Sequence, residues 1–419
     1  LIRIKNQTNY LNQQSRQYQR PTIGTIQSGF QDISRYTEIC QLTWQPFFSG
    51  LSIEYSTQQL FQAIGELRRG RNVWVKVPSQ IPEVVLHQQH ALVSSQTERL
   101  TSKRLSTIIS YDQLSMAVNR ALATGARGIQ IQSLSRLDQT DEDTLQRRRI
   151  LERINNELDT IGPWIAGGTT TGKVKVNRSD ITVYMTQTTR ARLLWVFSND
   201  DHQQIVSRPT KSREVEFKVS GVPVTYRPYQ INYSGIKRLR GSREASNMVS
   251  LTMESNVSRI VLTADPLVRD FVQRKIYQHR TRTLQLTYDL LQQELVRLQP
   301  LTQIHPFKTE TKQNIMLPYT QAQSSLQKAR KHVSTNESDV AYQLLSQTED
   351  LLRQTQLAAW NQTQGTRTQP TGNPLTLGVT SLPEYFVTEK QLRNSHWSAN
   401  QLKAGGMENL KQVQAAGWQ

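Results

Sequence analysis

The feature that most limits the folds open to this chain is a hydrophobic period that changes twice along its length. Up to about residue 165, strand-like and helix-like segments alternate. Residues 51–55 read as a short strand, and 57–68 as an amphipathic helix with Leu60, Phe61, Ile64 and Leu67 on one face and Gly70 as its stop. Residues 73–77 form a strand ended by Pro78. Ser110-Tyr-Asp-Gln113 has the form of a capping box and opens a helix running through Leu122, which Gly125 closes. A strand at 128–132 and a long helix at 141–158 complete the series. Strands separated by helices of this length predict parallel βαβ units.

From 173 to 264 the segments become short and alternating, punctuated by Ser198-Asn-Asp200, Gly221, Pro223, Gly235 and Gly241. That spacing predicts an antiparallel β-sandwich. From 266 to 362 the period is helical. Pro266 suits a first helical turn, and Leu284, Tyr288, Leu291, Leu295 and Leu298 make one buried stripe. After a polar loop holding Pro300, Pro306 and Pro318, helices at 319–334 and 338–362 meet at Thr335-Asn-Glu337 as a helical hairpin. In it, Ala322, Leu326, Ala329 and Val333 are expected to face Val340, Leu344, Leu345, Leu351 and Leu352. Residues 363–419 read as a linker and the start of a further β-rich module, holding Trp397 and Trp418 in a stretch too short to bury them alone. The expected fold class is therefore multi-domain: a partial (β/α) barrel over 1–168, an all-β sandwich over 173–264 and an all-α hairpin or bundle over 266–362. The chain is expected to enter inside the barrel and to leave at the threshold of another module.

A length of 419 residues fits two to four domains. A net charge of +18 invites a polyanion, but the densest basic groups, at 68–71, 147–149 and 237–240, lie far apart. No aromatic-interleaved basic motif joins them, which argues against nucleic acid as the partner. Cys40 is the one cysteine, so neither an internal disulfide nor a thiolate metal cluster can form. No run of 18 apolar residues occurs, so no transmembrane helix is expected. The first residues carry neither an initiator Met nor a signal-peptide core, so the chain is expected to continue upstream.

Several motifs invite chemistry. Gly167-Gly-Thr-Thr-Thr-Gly-Lys173 matches the start of a phosphate-binding loop, but Val174 stands where the magnesium-binding hydroxyl belongs, and a strand rather than a helix should follow. A flexible connector between domains is the expected reading. Glu83, His87 and His90 share a helical face, without the H-E-x-x-H order; no metal and no cofactor are expected. The sequons at Asn6, Asn256, Asn336 and Asn361 are the chance product of an Asn-, Ser- and Thr-rich chain. Glycosidase chemistry in a barrel needs two carboxylates at the ends of different strands. The candidates are Glu54, near the end of 51–55, and Asp138, after 128–132. Trp74, Lys76 and Gln80 are candidate ligand-binding residues, with Trp74 a sugar platform; Lys76 and Gln80 stand where strand 73–77 offers no acid.

The order Val73-Trp-Val-Lys-Val77, Ala121-Leu-Ala-Thr-Gly-Ala-Arg-Gly-Ile129, Ser135-Arg-Leu-Asp138, Leu151-Glu-Arg-Ile-Asn-Asn-Glu-Leu158 and Pro163-Trp-Ile-Ala-Gly-Gly168 resembles the last third of a TIM barrel found in very large exported proteins of planctomycete bacteria. Matches continue at Val219-Ser-Gly-Val-Pro223, Val261-Leu-Thr-Ala-Asp-Pro266, Asp339-Val-Ala-Tyr342 with Trp360, Ser381-Leu-Pro-Glu384 and 404–418. The resemblance implies a glycoside-hydrolase-like barrel followed by a sandwich, a helical hairpin and carbohydrate-binding-like modules. On this reading the chain is a non-catalytic segment of a large extracellular or cell-surface assembly. Its partners are other subunits, other domains of the same polypeptide, or polysaccharide. An active glycoside hydrolase with its acid/base upstream, and a polyanion-binding protein, are the alternatives.

Overall fold

A computed structural model describes residues 21–28, 30–47, 51–83, 85, 108–176, 178–199, 213–239, 248–253, 256–303, 309–335 and 337–364. The module expected over 363–419 lies outside them beyond Gln364.

The first unit is a parallel sheet in sequence order, β1 (Ile23–Ile26), β2 (Ile39–Thr43), β3 (Asn72–Pro78) and β4 (Gly128–Gln132). An order that never reverses is that of an opened barrel rather than a doubly wound sheet. The short helix α1 (Phe30–Ile33) follows β1, α2 (Ile53–Glu66) follows β2, α3 (Tyr111–Ala123) precedes β4, and α4 (Glu142–Asp159) with α5 (Gly162–Gly167) follows it. Val73, Val75 and Val77 point to the helix side and are buried. The capping box at α3 forms as the sequence predicts: Ser110 Oγ accepts from Gln113 N at 3.3 Å, and Gln113 Oε1 accepts from Ser110 N at 3.2 Å. Gly125 closes the helix with φ +113.

One expectation here is corrected. Residues 51–55 are not a strand, because Ser52 caps a helix by accepting from Tyr55 N at 3.2 Å, and α2 buries Ile53, Ser56, Thr57 and Leu60. The strand of this βα unit is β2 instead. Four of its five residues are buried, so it shows no alternation to read.

The second unit is antiparallel and lopsided. A six-stranded sheet runs β10 (Gly235–Arg238), β9 (Arg227–Asn232), β12 (Val257–Thr263), β7 (Ala191–Ser198), β6 (Ile181–Gln187), β5 (Thr169–Val174). A pair, β8 (Arg213–Lys218) and β11 (Met248–Met253), makes a second sheet. Strand β7 is buried on both faces. Leu194 and Val196 join the core between the two sheets, while Leu193, Trp195 and Phe197 join the core of the parallel unit. The large sheet is thus the middle layer of the molecule, so the run Leu193-Leu-Trp-Val-Phe197 is continuously apolar.

The third unit is helical. Helix α6 (Pro266–Leu298) leaves the sheet, with Asp265 accepting from Leu267 N at its start. A 3₁₀ turn, Gln299–Gln303, leads on to α7 (Thr309–Ser334), which lies beside α8 (Ser338–Gln364) across the short connection 335–337. Ala322, Leu326 and Ala329 meet Ala341, Leu345 and Leu352 in one core with Leu284, Leu291, Leu298 and Trp360. Two expectations shift here. Val340 is exposed, its neighbour Ala341 taking the inward place. Pro318 lies inside α7 rather than in a loop, where it supplies no N–H to the ladder.

Candidate functional site

In an opened barrel, side chains at the carboxyl ends of the strands share one rim. Gln80 follows β3 there and is spent on the protein itself. Its Oε1 accepts from Leu134 N at 2.7 Å, Ser135 N at 3.2 Å and Arg147 Nη1 at 2.6 Å, while its Nε2 donates to Ser135 Oγ at 3.3 Å. Arg147, on α4, is 1% exposed and also donates to Ser135 Oγ at 2.8 Å. The side chain therefore staples the end of β3 to the turn after β4.

Trp74 and Lys76 alternate with the buried valines of β3 and lie on the opposite face of the sheet, both half-buried. By register Trp74 stands between Gln41 and Gly128, and Lys76 between Thr43 and Gln130. Thr25, Thr43, Gln130 and Gln132 on this face are exposed. A Cβ at Gly128 would sit 2.7 Å from Trp74 Nε1, so the indole lies directly over that glycine.

The two candidate acids lie apart in role. Glu54 is in the first turn of α2 rather than at the end of a strand. It takes Arg120 Nη1 of α3 at 2.8 Å and Lys173 Nζ of β5 at 2.9 Å. Burial opposes its ionisation, but the Arg120 charge and hydrogen bonds from Lys173, Arg120 and Gln58 outweigh it and hold the carboxyl at about 2. Arg120 is fully buried; its Nη2 reaches Asn199 Oδ1 at 2.8 Å, and its guanidinium carbon lies 4.6 Å from the Phe197 ring centroid. Glu54 is thus the anionic half of a pin between the parallel unit and the sandwich. Asp138 is exposed and paired with Arg136 two residues away.

The loop-like motif 167–173 is not a connector. Thr169–Val174 is strand β5, paired with β6 through a bulge between Thr170 and Gly172, and no helix follows it. Its lysine is the one that meets Glu54. Among the described residues no cluster of His, Cys, Asp or Glu is placed to hold a metal, and His87 and His90 lie outside them. Asn256 is buried, and Asn361 is exposed on α8.

The most elaborate constellation is one that sequence reasoning missed. Where the three units meet, a cavity of about 130 Å³ is lined by charged and aromatic side chains. Glu157 of α4 takes Tyr233 OH at 2.6 Å and Tyr111 OH on one oxygen, and Arg259 Nη2 of β12 at 2.6 Å on the other. The guanidinium of Arg153 lies over the Tyr111 ring, 3.5 Å from its centroid. From α8, Arg353 grips Asp112 in a two-pronged pair at 2.7 and 2.8 Å, and meets Glu349 at 3.1 Å. Burial, reinforced by the Glu157 charge, pushes Tyr233 up to about 12, so its hydroxyl stays a donor. Burial also raises Glu349, with Arg353 opposing, whereas Arg353 overcomes burial at Asp112 and lowers it. The only sequence signals were two i, i+4 pairs of opposite charge, Arg153 with Glu157 and Glu349 with Arg353, which surface helices carry routinely.

No protein-family model matches the chain, and no curated protein does. Among solved structures it is similar to a noncanonic maltogenic α-amylase of Thermotoga neapolitana, with 10% identity over 61% of this chain and 58% of that one and a TM-score of 0.37. A GH30 endoxylanase of Clostridium papyrosolvens gives 8%, 57%, 56% and 0.31 in the same order. An α-fucosidase of Thermotoga maritima gives 10%, 53%, 42% and 0.30. The chain spans little more than half of the first two and less than half of the third. At these scores no residue role passes from those enzymes to this chain.

Proposed function

We propose that this chain is a non-catalytic segment of a larger extracellular or cell-surface protein, in which an opened barrel, a sandwich and a helical unit are locked together to present a contact face for glycan or protein. The observation that carries the reading is the state of the rim. Gln80 is held by Arg147, Ser135 and the backbone at Leu134, an amide fixed where hydrolysis would ask for a titrating acid. Glu54 supports it, since a carboxyl held at about 2 by two cations neither donates a proton near neutrality nor is free to attack. The contact face is the polar side of the parallel sheet, with Trp74 as an aromatic platform and Lys76 and Gln130 beside it. Screening the whole chain against polysaccharides, for binding and for release of reducing ends, tests this. Binding weakened at least tenfold by Trp74→Ala, with no hydrolysis, is expected. Hydrolysis abolished by Glu54→Gln or Asp138→Asn would overturn the non-catalytic reading.

A further inference from the structure

The open face of the parallel sheet carries charge of one sign. Strands β1 to β4 contain no Asp or Glu, and Lys76 is their one charged residue. It is half-buried, and its register neighbours Thr43 and Gln130 are exposed and neutral. Among the described residues its ammonium makes no ion pair and no hydrogen bond. Trp74 lies two residues back on the same face, about 7 Å along the strand, and its indole N–H is likewise without a partner. Neither nitrogen is sealed from solvent. The acids of the neighbouring rim are occupied. Asp138 pairs with Arg136, Asp141 accepts from Thr144 N at 3.0 Å at the start of α4, and Glu83 is engaged as well.

Partial burial strips water from an ammonium, and the usual compensation is a carboxylate. On this face the protein supplies none, so the counter-charge is left to the ligand. A neutral glycan would use the indole and leave the ammonium unanswered. A sugar with an anionic substituent uses both, its apolar ring surface on the aromatic side chain and its anion on the cation. The net charge of +18 draws polyanions to the molecule in general, but it does not place them on this face.

We propose that the ligand of the open sheet face is an acidic polysaccharide, whose carboxylate or sulfate groups meet Lys76 while its sugar rings lie on Trp74. This assignment rests on the contact-face reading above and gives that face its ligand class.

The test titrates the whole chain by calorimetry with polygalacturonate and dextran sulfate, against the neutral polymers carboxyl-reduced polygalacturonate and dextran, at one ionic strength. At least one acidic polymer should bind about tenfold or more tighter than its neutral counterpart. Preference for polygalacturonate assigns a carboxylate, and preference for dextran sulfate a sulfate. Lys76→Gln should remove about fivefold or more of the acidic-polymer affinity, which Lys76→Arg should largely keep. Lys237→Gln, at an exposed lysine of β10, should change it less than about twofold. Equal losses in Lys76→Gln and Lys237→Gln would mean that dispersed charge does the binding, and would overturn the proposal. Should Lys76→Gln fail to fold, lysine acetylation of the parent chain, read by mass spectrometry, decides. The acidic polymer should shield Lys76 and not Lys237, and equal labelling of Lys76 with and without polymer sinks the assignment. Neutral polymers that bind as tightly as acidic ones, and lose that binding in Trp74→Ala, overturn the assignment but leave the contact face standing. Binding to none of the four overturns the glycan reading of the face as well.

Discussion

Two residues, Glu54 and Gln80, carry meanings that depend on their partners. Glu54 is a rim acid by its place in the sequence, yet Arg120 and Lys173 make it a structural anion. Its folded-state value, about 2, lies below the ordinary 4.5, so its contribution is present above pH 4.5 and is lost as pH falls through 2. Glu54→Gln should therefore flatten acid unfolding across that window. At neutral pH it should cost about 3 kcal/mol by leaving Arg120 buried without its carboxylate, read from urea melts at pH 7 and pH 3. Gln80 takes its meaning from Arg147 in the same way. Arg147→Met should destabilise by about 2 kcal/mol, since it strips a buried charge-assisted bond from Gln80 Oε1; matched denaturant curves measure it. The sequence displayed all of these residues but not their pairings, which span 66, 119 and 67 positions.

Among the elements, helices announced themselves best. Ser110 with Gln113, and Pro266 behind Asp265, are local signals, and the helices start where those residues place them. Strands were harder wherever both faces are covered. β2 went unread and β7 looked like one half of an alternating sheet, because burial on two sides erases the alternation that marks a strand. Helix α6 also holds Glu294, which burial and the nearby charges of Asp112 and Glu349 push up to about 7, Arg353 and Gln356 opposing. A raised carboxyl favours the fold fully below pH 4.5, and that contribution disappears as pH rises through 7. Glu294→Gln should thus be more stable than the parent at pH 8, by on the order of 1 kcal/mol, with the two converging near pH 5 in thermal melts.

At the scale of the molecule, one apolar core runs from Val73, Val75 and Val77 through Leu193, Trp195 and Phe197 to Val272 and Ile276. The opened barrel and the sandwich share it and should unfold in one calorimetric transition. Much of the helical unit keeps a core of its own, and Arg353 is one of several ionic ties to the rest, beside Arg282 with Glu152 and Arg297 with Asp143. Arg353→Met leaves Asp112 and Glu349, both half-buried, beside one another without their cation. It should cost about 3–5 kcal/mol and separate a helical transition from the main one in scanning calorimetry. A single unchanged transition would show that the Arg353 pair is not needed to hold the units together.

Periodicity and local caps, both short-range properties of the chain, determined the succession of parallel, antiparallel and helical units and the starts of their helices. The same local signals erred where a neighbour had the last word, at residues 51–55, at the 167–173 motif and at Val340. The junction was beyond their reach. Arg353 meets Asp112 across 241 positions, and Arg259 meets Glu157 across 102. Such pairs leave no period in the sequence. A surface salt bridge, a proton donor and a buried clasp use the same side chains, and only the dielectric and the partners assembled by the tertiary fold distinguish them.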